Sequence, residues 1–226
     1  MPIFGTQYGG WFIPDDFHLD SSSYVVSAGV GEDISFDLCL QSKYGCEILL
    51  LDPTERAITH VKEVNSFYET KTPFSGLIQP DYLKVLSDLH PDLSRVTLKP
   101  IGLWKTKEIA RFYYQTNPYY VSQTLLADMY SSSYNEVPVD RLSCLIDQTP
   151  DVLKLDIEGA EIDVLETLFE DSIFPRLLCI EFDYILKGKD TENRTDRMIE
   201  RLLEKGYTIV YDKDYNLVFQ LNLEAI

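Results

Sequence analysis

The most unusual stretch of the chain places three acids around a glycine, directly after a run of apolar residues. Residues 153–161 read LKLDIEGAE, with the acids at Asp156, Glu158 and Glu161. Carboxylates that converge in a cleft raise one another's pKa, which suits them to take a proton. They could instead bind a divalent ion, Mg²⁺ or Mn²⁺, that orients a hydroxyl. For Glu161 the plainer alternative is preferred, an acid that favours the N-terminus of a helix.

A further acid occupies a corresponding place in a second apolar run. Glu181 follows residues 177–180, as Asp156 follows residues 152–155. An acid directly after a buried strand is costly unless it has a partner or a task, which favours a functional role for Asp156. A hydroxyl is a poor nucleophile, so a carboxylate should take its proton as a new bond forms. We hypothesise Asp156 or Glu181 as that base, or as ligands of an assisting divalent metal.

A second constellation, nearer the N-terminus, has the composition of a ligand-binding turn. Gly29 and Gly31 let the backbone turn sharply after an apolar strand and approach a ligand. Asp52 ends the next strand, about 20 residues further on, where a carboxylate can accept both hydroxyls of a ribose. The alternative is structural: the glycines only make a tight turn, and Asp52 caps the next helix.

The details of this turn disfavour a dinucleotide. Ile34 replaces the third glycine of the dinucleotide pattern, and Glu32 and Asp33 would repel a pyrophosphate at the helix N-terminus. S-adenosylmethionine has a ribose and a sulfonium cation but no phosphate, so an acidic pocket suits it. Two alternatives stay open. One is a nicotinamide-dependent oxidoreductase, and the other is a non-catalytic interaction module that kept the fold.

A sheet must position these residues. Apolar strands alternate with helical patterns, which predicts an α/β fold with a mostly parallel sheet covered on both faces. Ligands of such sheets bind at the carboxyl ends of the strands, where the acids and the glycine turn lie. The predicted strands are 24–27, 47–51, 96–101, 152–155 and 177–182, followed by an antiparallel hairpin of 207–211 and 216–221. The predicted helices begin at Asp33 and end before Gly45, run from Thr54 to about residue 65, and cover 82–89, the segment after Asp156, and 195–205.

The length of the chain predicts one domain over residues 1–226. Residues 1–20 are rich in glycine and aromatic residues, and we predict an N-terminal arm or cap there. Residues 111–136 are rich in tyrosine and turn residues, which predicts a long loop that serves as a substrate lid. Tyrosine offers a flat apolar face and a hydroxyl, which match a sugar ring. The alternative is a lid that packs its own aromatic rings.

Composition excludes several classes of partner and site. The net charge of −17 would repel a polyanion, so we predict no nucleic-acid partner. No apolar run approaches the roughly 18 residues of a membrane helix, and the N-terminus lacks the pattern of a secretory signal. The four cysteines form no CxxC pair, which predicts reduced, buried thiols and a cytoplasmic location. The absence of HExxH and of a His/Cys cluster disfavours zinc.

Taken together, these segments resemble the FkbM family of S-adenosylmethionine-dependent O-methyltransferases. The most specific match is 153–161, which is similar to the hallmark acidic motif of the family. Residues 26–37, VSAGVGEDISFD, are similar to its first motif, and 51–54, LDPT, to its ribose-binding strand end. Two shorter segments, YGGW at 8–11 and NPYYVSQ at 117–123, resemble one branch. Two histidines expected in that branch, near Gln123 and near Asp183, are absent here.

This resemblance implies a Rossmann-like class I methyltransferase fold with a seven-stranded, mostly parallel sheet. It implies the cofactor S-adenosyl-L-methionine and an acceptor that is a small molecule or a glycan, because members commonly methylate hydroxyls, often on sugars. The implied donor site consists of Ser27, Gly29, Gly31, Ile34 and Asp52, with Gly102 and Leu103 beside the adenine. The implied reaction centre is bordered by Asp156, Glu158 and Glu181, the predicted catalytic residues. The predicted substrate contacts are Tyr119, Tyr120 and Gln123.

Overall fold

The structure is a computed structural model that describes residues 3–76, 78–117 and 122–222. The chain divides into two compact units, Met1–Pro100 and Ile101–Ile226, named here the first and the second unit. The fold class is α/β with a seven-stranded, mostly parallel sheet and antiparallel strands near the C-terminus, which confirms the predicted class. A compact unit is not in itself a separate domain, so the single domain over residues 1–226 stays a prediction.

In the first unit, strands and helices alternate along the chain. Its elements are β1 (Ile3–Phe4), β2 (Trp11–Phe12), β3 (Tyr24–Ala28), α1 (Ser35–Tyr44), β4 (Glu47–Leu51), α2 (Glu55–Thr70), α3 (Tyr82–Ser87) and β5 (Val96–Lys99). β3, β4 and β5 run parallel, with Val26 opposite Leu49 and Leu50 opposite Leu98. β3 is buried throughout and β4 from its second residue on, as expected for strands of a covered parallel sheet.

The two longer helices of the first unit start and stop for local reasons. α1 ends at Gly45, whose φ of 70° is left-handed and costs glycine little, so the predicted stop is confirmed. α2 begins after Thr54, whose hydroxyl accepts a backbone N–H of the first turn. It runs on to Thr70, beyond its predicted end. The added turn has a tertiary partner, because the Tyr68 hydroxyl donates to the carbonyl of Leu86 at 2.8 Å.

The first described residues form a small hairpin in the region predicted as an arm or cap. β1 and β2 pair antiparallel, and the N–H of Gly10 donates to the carbonyl of Thr6 at 3.1 Å in the turn between them. The ring of Phe4 lies 6.1 Å from that of Tyr44 at the end of α1. The hairpin is therefore held against α1, and its role as a cap stays a prediction.

The second unit contains the strands that carry the acidic motif. Its elements are β6 (Gly102–Leu103), β7 (Glu108–Tyr114), β8 (Gln123–Thr124), β9 (Tyr134–Asp140), β10 (Val152–Leu155), α4 (Glu161–Glu170), β11 (Leu177–Glu181), α5 (Asp183–Leu186), α6 (Arg194–Glu204), β12 (Tyr207–Lys213) and β13 (Asn216–Leu221). β10 and β11 run parallel, with Leu155 opposite Ile180. β13 pairs antiparallel with β11 and β12, which confirms the predicted closing hairpin.

A four-stranded sheet, in the order β6-β9-β7-β8, corrects the prediction of a continuous loop over residues 111–136. Residues 111–114 belong to β7 and residues 134–136 to β9, two strands that pair antiparallel. Side chains of Phe112, Val137 and Val139 form a small core on one side of this sheet. Aromatic and β-branched residues favour strands, whereas the turn residues that lie between β7 and β9 favour a loop. The aromatic residues at both ends of the segment follow the strand preference. The role of a lid stays a prediction, and it now concerns only the connection between β7 and β9.

The structure also bears on the predictions about membrane helices and about cysteines. Among the described helices, none combines the length and the apolarity of a membrane span. Cys46 and Cys179 are buried thiols as predicted, whereas Cys144 is exposed. Cys144 lies in a short 3₁₀ turn after β9.

Candidate active site

The glycine turn of the first unit wraps around a single carboxylate. Gly29 and Gly31 have φ values of 74° and 51°, in the left-handed region that favours glycine. The N–H of Gly29 donates to the carbonyl of Leu51, at 3.0 Å. The next two N–H groups that the turn presents, of Val30 and Gly31, both donate to Oδ2 of Asp52, each at 3.0 Å. The turn and the end of β4 are therefore one hydrogen-bonded unit.

Asp52 is 5% exposed, and its carboxylate is occupied by the protein itself. Oδ1 accepts the N–H of Thr54 at 2.9 Å and its hydroxyl at 2.6 Å. With the two bonds to Oδ2, these use the lone pairs that a carboxylate offers. Thr54, not Asp52, caps α2. A ribose contact of Asp52 stays a prediction, and it requires that some of these bonds be exchanged.

The other predicted donor residues of the first unit lie around the same turn. Ser27 is fully buried at the fourth position of β3, and its hydroxyl donates to Oδ1 of Asp37 at 2.5 Å. Ile34 is buried, and its N–H lies 3.4 Å from the hydroxyl of Tyr82. That hydroxyl forms a 2.7 Å hydrogen bond with Nε2 of His60. Burial lowers the pKa of His60, which favours the neutral ring and an O–H donated by Tyr82.

The two acids that follow the glycines have partners of their own. Glu32 forms a two-pronged ion pair with Arg56, at 2.8 and 2.9 Å. Asp33 accepts the hydroxyl of Thr6 at 2.6 Å and the N–H of Ser35 at 2.9 Å. These contacts tie the N-terminal hairpin and α2 to the turn. Reasoning from the sequence missed them, because each joins residues more than 20 positions apart except that to Ser35.

In the second unit, the register of β10 and β11 brings Asp156 and Glu181 together. Leu155 lies opposite Ile180, so the residues that follow them stand side by side at the carboxyl ends of parallel strands. Burial and the charge of Asp156 raise the pKa of Glu181 to about 7, while Lys154 acts in the opposite direction. Nζ of Lys154 lies 3.2 Å from Oδ2 of Asp156. A carboxylate with a pKa near neutrality is suited to accept a proton.

A third acid, which the sequence analysis did not select, completes the cluster. Oxygens of Asp156, Glu158 and Asp183 all lie within 4.8 Å of one another. The side chain of Asp183 is 8% exposed, and its Oδ2 has no hydrogen-bond partner among the described residues. Burial, followed by the charge of Glu158, raises the pKa of Asp183 to about 8. The available signal was its position two residues after Glu181.

Glu158 is held in an uncommon conformation by contacts with three different segments. Its φ of 57° is left-handed, which is unfavourable for a residue with a side chain. Lys187 forms an ion pair with Oε2, and the hydroxyl of Tyr130 donates to the same oxygen. The hydroxyl of Thr124 donates to the backbone carbonyl at 2.5 Å. These contacts stabilise a backbone conformation that is unfavourable for a glutamate on its own.

Glu161 is a structural residue of the turn, as the plainer alternative proposed. It is fully buried at the start of α4, and its Oε1 accepts the N–H groups of Ile157 and Gly159, each at 3.0 Å. Burial, and then the charge of Asp183, raises its pKa well above the ordinary value. The carboxyl therefore fixes the backbone that carries Glu158.

The described part of the connection after β7 packs on this acidic turn. A Cβ on Gly159 would lie 3.0 Å from the Met129 side chain and 3.1 Å from that of Leu126. Gln123 lies in β8, and its Oε1 is buried without a hydrogen-bond partner among the described residues. Tyr119 and Tyr120 lie outside the described residues.

Gly102 and Leu103, expected beside the adenine, are buried in β6. Gly102 lies opposite Val139 and Leu103 opposite Asp140 in parallel pairing with β9. Their role at a donor site stays a prediction.

The oxygen ligands of the acidic cluster are of the kind that Mg²⁺ and Mn²⁺ prefer. However, Nζ of Lys187 pairs with both Glu158 and Asp183. A divalent ion placed between the same oxygens would meet this ammonium at short range and be repelled. As placed, the residues fit an ammonium ion, and they do not fit a divalent metal unless Lys187 moves away.

Comparisons with known proteins concern the family and the fold of the chain. A family model described as "Methyltransferase FkbM domain" matches residues 77–209, more than half of the chain. Among solved structures, the FkbM methyltransferase of Methylobacillus flagellatus KT aligns at a TM-score of 0.50 and 15% identity, over 90% of this chain and 44% of that one. A putative rRNA methylase of Clostridium thermocellum aligns at a TM-score of 0.46 and 11% identity, over 91% of this chain and 90% of that one.

These structural alignments concern the fold. At 15% identity the first one shows a common fold, and this chain spans less than half the length of the Methylobacillus protein. The second TM-score is too low to support a conclusion. No curated protein matches the chain.

Proposed function

The chain belongs to the family of FkbM methyltransferase domains, and from this we propose that it is an S-adenosylmethionine-dependent O-methyltransferase acting on a hydroxyl of a sugar or glycan. The observation that carries the chemistry is the pair of carboxyls at the ends of β10 and β11. Asp156 and Glu181 stand on neighbouring strands, and the pKa of Glu181 is raised to about 7. A hydroxyl acceptor needs such a group, because its oxygen becomes a good nucleophile only as its proton leaves.

We assign the role of base to Glu181 and a supporting role to Asp156. The acceptor oxygen forms a bond to the methyl carbon while the bond from that carbon to the sulfonium sulfur breaks. The hydroxyl proton passes to the carboxylate of Glu181, and S-adenosylhomocysteine is the second product. Asp156 makes Glu181 more basic by its charge, and Lys154 holds Asp156 in place. In-line positioning of the two substrates supplies much of the remaining acceleration.

The donor is assigned to the glycine turn of the first unit. The two left-handed glycines have no side chains that would block the backbone of the turn, and Asp52 accepts N–H groups of the same turn. On binding, the ribose hydroxyls would replace the N–H groups of Val30 and Gly31 as donors to Asp52. Calorimetric titration with S-adenosylhomocysteine, and in parallel with NAD, tests this assignment. Binding of NAD alone would favour an oxidoreductase, and binding of neither would favour an interaction module.

The acceptor is assigned on aromatic residues of the second unit and on the net charge. Tyr130 contacts Glu158 directly, and Tyr113 and Tyr134 form an edge-to-face pair at 5.6 Å in the neighbouring sheet. Such rings suit the faces of a sugar. A net charge of −17 disfavours a nucleic acid. Incubation with labelled donor and a panel of glycans, free sugars and RNA, with and without chelator, tests the proposal. Label in RNA alone would contradict it.

A cytoplasmic location is proposed on the cysteines. No disulfide links the four cysteines in the part of the chain that the structure describes, which suits a reducing compartment. Fractionation of cells that express the full-length protein, followed by detection with an antibody, tests this location.

A further inference from the structure

Lys187 lies within the acidic cluster, and the chemistry proposed above gives it no task. Its Nζ pairs with Oε2 of Glu158 and, at 2.5 Å, with Oδ1 of Asp183. It also lies 5.2 Å from the centre of the Tyr130 ring, over its face. The lysine side chain is 29% exposed, Glu158 is 16% exposed and Asp183 is 8% exposed. Charges shielded from water to this degree interact more strongly than those at an exposed surface.

The placement of Lys187 follows from two separate parts of the chain. Asp183 begins α5 and Lys187 directly follows its last residue, so the single turn of helix between them brings the ammonium to the carboxylate. Glu158 comes from the turn between β10 and α4, whose left-handed backbone aims its side chain at the same ammonium. Burial lowers the pKa of Lys187, but Glu158 and Asp183 outweigh it and raise the pKa overall. The ammonium therefore stays charged.

The cluster has the oxygen ligands of a divalent metal site, but the ammonium of Lys187 lies where the metal ion would bind. The nearest oxygens of Asp156, Glu158 and Asp183 lie within 4.8 Å of one another. Oδ2 of Asp183 is buried and has no hydrogen-bond partner among the described residues, so part of its capacity to accept is unused. Without a cation these carboxylates would repel one another.

We propose that Lys187 is a built-in counter-ion that replaces a divalent metal at this site. It holds Glu158 and Asp183 in one geometry, and it makes the reaction independent of added metal. Lys187 is thus a positioning residue, and its effect on turnover rests on the proposed function. Its effect on metal binding does not, because that effect depends only on the three carboxylates and the ammonium.

The test compares Lys187→Met with the parent protein. Methionine keeps the length of an unbranched chain and removes the charge. Calorimetric titration with Mn²⁺, in the absence of donor and acceptor, should give one site in Lys187→Met that binds at least about tenfold tighter than any site of the parent, a difference of about 1.4 kcal/mol. Adding Asp183→Asn to this variant should abolish the site, because it removes a ligand.

Two controls separate this effect from a general change of charge or fold. Lys189→Met removes the same charge two residues away and should leave Mn²⁺ binding as in the parent. Lys187→Arg keeps a cation and should exclude Mn²⁺, and it also keeps the inference testable if Lys187→Met does not fold. Tight Mn²⁺ binding by the parent or by Lys187→Arg would overturn the inference, and so would a folded Lys187→Met that does not bind Mn²⁺.

Turnover gives a second measurement once an acceptor is known. The parent should keep full activity in the presence of EDTA. Lys187→Met should lose at least about tenfold in kcat and regain part of it with Mn²⁺ or Mg²⁺, since a divalent ion restores the missing positive charge. Loss that no metal restores would contradict the counter-ion role. If no acceptor is methylated at all, the proposed function fails, whereas the titration still decides the role of Lys187.

Discussion

Replacing Glu181 by Gln should make the protein more stable and much less active. Glu181 is the proposed base, and burial together with the charge of Asp156 raises its pKa from the ordinary value of 4.5 to about 7. Glutamine has nearly the same shape, cannot ionise and cannot take a proton. Its carbonyl oxygen can still accept the hydrogen bond that Asn216 makes to Glu181.

The size of the stabilisation follows from the pKa. A folded-state pKa above the unfolded value means that the protonated carboxyl stabilises the fold, so this contribution is complete below pH 4.5 and is lost as pH rises through about 7. The difference between 4.5 and about 7 corresponds to up to about 3 kcal/mol in the free energy of unfolding. For a chain of 226 residues, that is roughly 6–12 °C in Tm above neutral pH.

The assay is a series of urea and thermal unfolding curves between pH 4.5 and pH 8.5. The stability gained by Glu181→Gln over the parent should be near zero at the acidic end, grow through the interval and level off above about pH 7. Kinetic measurements at pH 8 on the same samples should show a loss in kcat of about 10²- to 10⁴-fold, the range for a missing general base. Glu200→Gln, which removes an exposed carboxylate of α6, is the charge-matched control and should show neither effect.

Two results would refute parts of this reasoning separately. If Glu181→Gln is no more stable than the parent at pH 8, the carboxyl is not held in its neutral form by burial and by Asp156. If the variant is more stable but keeps full turnover, the raised pKa is real and Glu181 is not the base. A gain in stability that does not change with pH would point to packing rather than ionisation.

Three further predictions concern the acidic cluster and the glycine turn. The pH profile of kcat/KM for the parent should fall below about pH 7 with the slope of one proton, as Glu181 becomes protonated, and Asp156→Asn should move this midpoint to lower pH because it removes a neighbouring negative charge. Asp52→Asn should weaken binding of S-adenosylhomocysteine in calorimetry. It should also lower the free energy of unfolding by about 1–3 kcal/mol, because the amide cannot accept all the hydrogen bonds that the carboxylate accepts. An unchanged affinity for S-adenosylhomocysteine would remove Asp52 from the proposed binding site of the methyl donor. Tyr130→Phe should speed limited proteolysis of the segment after β8 and raise the acceptor KM more than it lowers kcat, since it removes the bond to Glu158 but leaves Glu181 in place; unchanged cleavage rates would show that this bond does not hold the segment.

Several elements could be predicted from the sequence because their signals are local. Apolar runs of four to six residues bounded by turn residues identified the parallel strands to within a few positions. Gly45 marked the end of α1, and the paired glycines marked a turn that needs left-handed backbone. The pairing of Asp156 with Glu181 was also accessible, because both follow strands that end at the same edge of a parallel sheet.

Other features depended on which strands and segments meet in space. Residues 111–136 give the pattern of a loop, although they include β8 and parts of β7 and β9, because β7 is half exposed and turn residues lie between the strands. The contacts of Asp33 with Thr6 and of Glu32 with Arg56 join segments that are distant along the chain. Nothing in the residues on either side of such a contact indicates the partner.

The chemical types present at the candidate site were therefore determined by the sequence, and their ionisation states by the tertiary structure. A strand pattern followed by an acid is enough to place a carboxylate at the edge of a sheet. Whether that carboxylate is basic, ion-paired or occupied depends on burial and on charges a few ångströms away. Glu181 is made basic by its surroundings, Asp52 is occupied by the turn, and Glu158 is paired with Lys187. The physical reason is that desolvation and Coulomb interactions act through space, whereas hydrophobic periodicity and turn preferences act along the chain.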